Sequence, residues 1–257
     1  MDFQRCYNTI FKTIMPQSFP IGVKIVKQGE SFPEKVVRPA KFNIKISLCQ
    51  WTTIARRWGW VVGALGEDIN CTPCLAAFGF KRVPNINDVA TFFMSMGYTK
   101  KEEQAVAMAE NVEYRNPGEV KGVVMFPLNK APVAPDLVMI YGMPAQMFRL
   151  ASGLFYTSGK SIVSKSHIGI SCLHTLMPHW NQEPAFVNPG RGERMLAATG
   201  DTEMCLSLPA KYVDDLTEGL EATQKTGTRY PIQSYLLYTP PSIPPMRELE
   251  AKLLDLE

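Results

Sequence analysis

Histidine is scarce in this chain. There are three in 257 residues, His167, His174 and His179, and each reads best as a surface or hydrogen-bonded side chain. A c-type haem attachment is excluded, because Leu75 rather than His follows Cys74. Charge of one sign is not in large excess either: 27 Lys and Arg stand against 24 Asp and Glu, for a formal charge of +3. The basic residues are scattered, with Arg56-Arg57 and Lys100-Lys101 the densest pairs, so no nucleic-acid partner is expected. No apolar run approaches the roughly 18 residues that a membrane span needs, the most apolar being Trp58 to Leu65, so no membrane partner is expected. The N-terminal residues lack the apolar stretch and cleavage site of a secretory leader. Gly-x-Gly-x-x-Gly, the P-loop pattern and Gly-x-Ser-x-Gly are all missing, which removes the usual signals for dinucleotides, nucleoside triphosphates and serine hydrolysis.

Cysteine is present, but only at six positions spread unevenly, too few for a secreted disulfide scaffold. A cytoplasmic, reducing location is the resulting expectation. In that setting a Cys-x-x-Cys pair is more often metal-binding or redox-active than structural. This chain has one, Cys71-Thr72-Pro73-Cys74, at what reads as the mouth of a helix. Unpaired N–H groups and the helix dipole favour a thiolate at such a position.

Along the chain, strand-like and helix-like segments alternate. Ile21 to Val26, Trp60 to Leu65, Val120 to Phe126, Leu137 to Tyr141, Ser161 to Ser164, Arg194 to Ala198 and Glu203 to Leu208 read as strands. Helical periodicity marks the first 15 residues, Ile44 to Trp58, the Cys71 segment up to Gly79, Pro144 to Leu154, Ile170 to Met177, Ala210 to Thr223 and Met246 to Leu256. Asp88 to Val112 reads as a peripheral helical pair, with Thr99 and Glu102 as a capping box. Several strands are too apolar to be half exposed, which favours a central position. The expected fold is an α/β domain, α+β being the alternative, with a mixed central sheet flanked by helices over residues 1–257. A Pro-rich tail is expected from about residue 228 to 257. One echo recurs: Leu137 to Tyr141 leading to Pro144-Ala145, and Met204 to Leu208 leading to Pro209-Ala210, each a strand followed by a Pro-opened helix.

Cys49, Cys71, Cys74 and Cys172 all fall on predicted helices. Four converging thiolates are what an iron–sulfur cluster or structural zinc demands. Ligands this far apart in one large domain suit a 4Fe-4S cluster better than zinc, which usually uses two compact knuckles. Two other readings stay open. Cys71 and Cys74 could form a redox dithiol, although no Trp precedes Cys71. The cysteines could also be packing in a cluster-free small-molecule-binding module. Cys205 reads as a core residue, Cys6 sits on the N-terminal amphipathic helix, and Trp51, Trp58 and Trp60 read as core. Arg191 and Arg194, in the loop Gly190-Arg191-Gly192-Glu193-Arg194, offer guanidinium forks to an anionic small molecule or a redox partner protein; a simple turn with a Glu193 ion pair is the alternative. Homo-oligomer formation stays open.

The chain also resembles a known family. Pro20-Ile21-Gly22-Val23-Lys24, Cys49-Gln50, Asn70-Cys71 with Gly79, Tyr141-Gly142, Cys172, Gly190-Arg191-Gly192 with Arg194, and Arg229-Tyr230-Pro231-Ile232 occur in the order seen in the bacterial and archaeal domain of unknown function 169. The resemblance spans residues 20 to 240 or so. It implies a whole-chain domain and no set mechanism. It further implies an anaerobic setting compatible with an oxygen-sensitive centre, and cysteines matching Cys49, Cys71 and Cys172, with Cys74 matched less regularly.

Overall fold

The computed structural model describes residues 1–83, 85–233 and 244–254. Residues 234–243 of the expected Pro-rich tail and 255–257 at the end of its helix lie outside the described residues.

Six strands form one sheet: β1 (Ile21–Lys27), β2 (Val62–Leu65), β3 (Val120–Pro127), β4 (Leu137–Gly142), β5 (Ala185–Val187) and β6 (Met204–Pro209). Their order is β2-β3-β1-β4-β6-β5, and every neighbouring pair is antiparallel. The apolar runs in β3 and β4 follow from layers on both faces: β4 is buried at all six positions. The chain is therefore a mixed α/β protein with an antiparallel central sheet.

On one face pack α1 (Phe3–Ile14), α6 (Pro144–Ser158) and α10 (Val213–Lys225), around Val138, Ile140, Leu206 and Leu208. The strand-and-helix echo is realised here: β4 and β6 pair antiparallel, and the helices they feed lie against one another. The two helices meet at glycines, since a Cβ on Gly219 would collide with the Gly153 carbonyl. Arg149 of α6 is fully buried between them and bonds Thr223 Oγ1 at 2.8 Å and Leu220 O at 2.7 Å. No carboxylate neutralises it among these partners; the carbonyl-rich C-terminal end of α10 does.

On the other face lie α2 (Leu48–Trp58), α3 (Thr72–Ala77), α4 (Ile86–Ser95), α5 (Glu102–Glu110), α7 (Ser171–Leu176), the one-turn α8 (Pro178–Asn181) and α9 (Arg191–Leu196). A further helix, α11 (Pro244–Leu254), follows in the C-terminal part. Cys49, Cys71, Cys74 and Cys172 all belong to this second face.

Several expectations are corrected. Arg194 to Ala198 is not a strand, because Arg191–Leu196 is helical, with the Gly190 N–H held by Glu193 Oε2 at 3.2 Å. Ser161 to Ser164 has no strand structure, and the short β5 at the sheet edge takes its place. The second helix begins at Leu48, not Ile44, because Ser47 and Gln50 form a capping box there and Ile46 bridges to Ile69. The Thr99–Glu102 box does not form: Lys101 caps α5 without a side-chain bond, and the Thr99 hydroxyl is buried with no partner among the described residues. Of the three tryptophans read as core, only Trp51 is buried; Trp58 and Trp60 are exposed. The α4–α5 pair is more than peripheral, since Phe93, Ala105 and Ala109 are fully buried in the main core.

Candidate functional site

Three of the four cysteines stand at the first turns of three helices. Cys49 is the second residue of α2, and its Sγ lies 3.1 Å from the Oγ of the capping Ser47. Cys71 is the N-cap of α3, whose turn is set by Pro73. That helix is stopped by Gly79, in the left-handed region at φ 66°, where any Cβ would strike the Asn116 carbonyl. Cys172 is the second residue of α7, which Ser207 Oγ ties to β6 through a 2.6 Å bond to Thr175 O. All three side chains are half-buried.

These three cysteines, from three separate elements, line one cavity of about 260 Å³. Phe92, Met96 and Tyr98 wall it from the α4 side, and Arg191 and Glu193 from α9. Cys74 is not on the cavity wall. It is fully buried, and its proximity raises the pKa of the Cys172 thiol. Among the described residues, no three His, Cys, Asp or Glu side chains are gathered closely enough to hold a single metal ion.

The thiols influence one another. Burial, then the neighbouring Cys172, pushes the Cys49 pKa up to about 12. Burial, then Cys172, does the same for Cys71. For Cys172 the hydrogen bond with Cys74 comes first and burial second, and its pKa rises well above the ordinary thiol range. Apolar surroundings and adjacent sulfurs thus disfavour a bare thiolate, so the helix-start advantage expected for Cys71 is outweighed.

Glu193 is the residue that sequence reading undervalued. It is buried, and it makes no ion pair with its arginine neighbours. Its Oε2 accepts from Ser171 Oγ at 2.5 Å and its Oε1 from the Tyr141 hydroxyl at 3.3 Å. One carboxylate therefore fastens the start of α9 to the start of α7, next to Cys172. The signal was in the sequence, as a loop Gly followed three residues later by Glu at a helix start.

The two arginines part company. Arg191 lies at the cavity, with Nε 3.2 Å from Met195 Sδ and Nη1 3.4 Å from Met96 O, and makes no ion pair among the described residues. Arg194 spends its guanidinium on Asn188 Oδ1 and on the carbonyls of Pro189, Gly200 and Glu203, and is not on the cavity wall. The histidines lie outside the cavity as well. His167 is within 3.0 Å of Met108 O and stacks on His174, and His179 packs edge-on against Trp180. Cys205 and Cys6 are fully buried core residues.

Fold and site together define a mixed α/β protein with a cysteine-lined cavity on one side of an antiparallel sheet. The chain belongs to the family described as Uncharacterised ArCR, domain of unknown function 169, whose model matches residues 9–219. No curated protein and no solved structure matches it. No helix among the described residues is long and apolar enough to cross a membrane.

Proposed function

We propose that this protein holds an iron–sulfur cluster of the 4Fe-4S type and serves electron transfer or redox catalysis in an oxygen-poor cytosol. Cys49, Cys71 and Cys172 are its ligands from the cavity wall, and Cys74, one turn on from Cys71, is the fourth thiol. The observation that carries this reading is the shared cavity: Cys49, Cys71 and Cys172, from α2, α3 and α7, line one space. A cluster is a body held from its walls, whereas a single zinc ion draws four ligands to within about 2.3 Å of one point.

The thiol chemistry agrees. Crowded, buried sulfurs that resist ionisation alone become good ligands once a cation compensates their charge. The same crowding argues against the dithiol, which needs an easily ionised attacking cysteine. When bound, the cluster supplies one-electron transfer. The chain's own residues exclude water through Phe92, Met96 and Tyr98, and hold α7 to α9 through Glu193. Arg191 presents a positive charge at the mouth for an anionic small molecule or redox partner protein, and Arg194 anchors the loop that carries it.

Purification without oxygen, with iron, sulfide and zinc analysis, tests this. The expected protein is brown, with broad visible absorbance from sulfur-to-iron charge transfer that dithionite bleaches, and Cys49→Ala, Cys71→Ala or Cys172→Ala loses it. A colourless protein with one zinc, or a metal-free one with a titratable Cys71–Cys74 disulfide, overturns the proposal in favour of a structural ion or a dithiol.

A further inference from the structure

Pro73, Phe92 and Ile170 form a partition with a cavity on each side. One is the cysteine cavity; the other, of about 340 Å³, lies between α3 and α4. The second is walled by apolar side chains, notably Leu75, Val83 and Val89. Its charged groups are Lys81 and Arg82, on the loop after α3, and Asp88 in the first turn of α4. Among the described residues, neither the Lys81 nor the Arg82 side chain has a hydrogen-bond or ion-pair partner. Asp88 leaves the rim with a net charge of +1, two cations less one carboxylate.

An apolar cavity of this size suits a small molecule, and a few polar groups at its edge fix the orientation of what enters. Water satisfies the two cations but not the walls; an amphipathic anion satisfies both. We propose that this cavity binds a small organic carboxylate with an apolar acyl or aryl body. Lys81 and Arg82 hold the carboxylate, and the body rests against Phe92 and Ile170, on the partition shared with the cysteines. The placement puts the bound molecule one side-chain layer from Cys71 and its neighbours. The inference stands on the cavity and its rim, and does not require the cysteines to carry iron.

Calorimetric titration of the purified protein with octanoate and with 4-phenylbutyrate, against 1-octanol as the uncharged comparison, tests it. Saturable one-site binding of at least one carboxylate is expected, with the alcohol weaker. The exposed double variant Lys81→Ala/Arg82→Ala should lose at least about tenfold in carboxylate affinity, since even one charge-assisted hydrogen bond is worth that much and both are removed, while leaving the alcohol unchanged. Ala76→Trp, which fills the cavity, should abolish both, with thermal melting confirming that it folds. No saturable binding by the unmodified protein, or carboxylate affinity untouched by the charge-removing variant, overturns the proposal. Metal content, measured on the same preparation, reports separately on the iron–sulfur reading.

Discussion

Ser171 Oγ sits 2.5 Å from Glu193 Oε2 while accepting the Gly190 N–H at 2.9 Å, so one hydroxyl joins the starts of α7 and α9. The joint also receives Tyr141 from the sheet, through its 3.3 Å bond to Glu193. Glu193→Gln places an amide N–H₂ among donors that need an acceptor. We expect a loss of about 1–3 kcal/mol in urea unfolding. Unchanged stability would mean that Glu193 does not hold this joint.

Arg56 is fully buried, bonded to Glu203 at 2.7 Å and stacked 4.3 Å over the Tyr141 ring. Removing Arg56 leaves the buried Glu203 with only the partly exposed Arg57 as a cation partner. Arg56→Met should cost about 3–5 kcal/mol, and Arg56→Met/Glu203→Leu should recover much of it. A double variant as unstable as the single one would contradict this.

Glu203 also sets a pH dependence. Burial opposes its ionisation, but hydrogen bonds from Arg56 and Gly200 and the charges of Arg56 and Arg57 outweigh burial and hold its pKa below the ordinary carboxylate value. A carboxylate lowered on folding stabilises the protein above its unfolded pKa, about 4.3 for Glu, and that contribution is lost as pH falls through the lower folded value. Acid unfolding of the unmodified protein should therefore show an acid-dependent loss that Glu203→Gln removes. The two profiles should converge once pH is below the folded pKa, and parallel profiles would refute the assignment.

The cysteines give a reactivity prediction. In metal-free protein, Cys49 and Cys71, pushed up to about 12, should react with iodoacetamide at neutral pH more slowly than free cysteine, whose pKa is about 8.5. The rate should still be climbing well above that pH. Mass spectrometry of digests taken along a pH series reads this site by site, and a plateau near the free-cysteine pKa would show that the thiols are not suppressed.

Arg149 offers a control on the opposite face. Its pKa is lowered by burial, and its partners are a hydroxyl and a carbonyl of α10 rather than an acid. Arg149→Met should be tolerated better than Arg56→Met, because no carboxylate is stranded. A thermal melt comparing the two checks the order.

Five of the six strands and the helix starts that carry Cys71 and Cys172 were legible in the sequence, because period and local turn chemistry act over a few residues, whereas the helix of Cys49 was read as starting four residues early, at Ile44. Pro144 marked the start of α6, and Pro209 the short turn that leads into α10, for the same reason. What was not legible depended on partners far along the chain. Arg194 to Ala198 has strand-like composition, yet Glu193 reaches Ser171 and Tyr141 and so secures a helix there. Trp58 resembles Trp51 on paper, but it falls past the edge of the buried helical stripe and is 63% exposed. Arg191 and Arg194 look equivalent three residues apart; only the fold shows that loop carbonyls occupy one and leave the other beside the cysteines.

Where Gly219 meets the Gly153 carbonyl, α6 and α10 touch main chain to main chain. The spacing of the two helices at that crossing is set by backbone, so any methyl there wedges them apart, whatever the leucines packed beside it. The cysteine cavity across the sheet is lined by side chains from several helices, so single replacements can reshape it without touching that crossing.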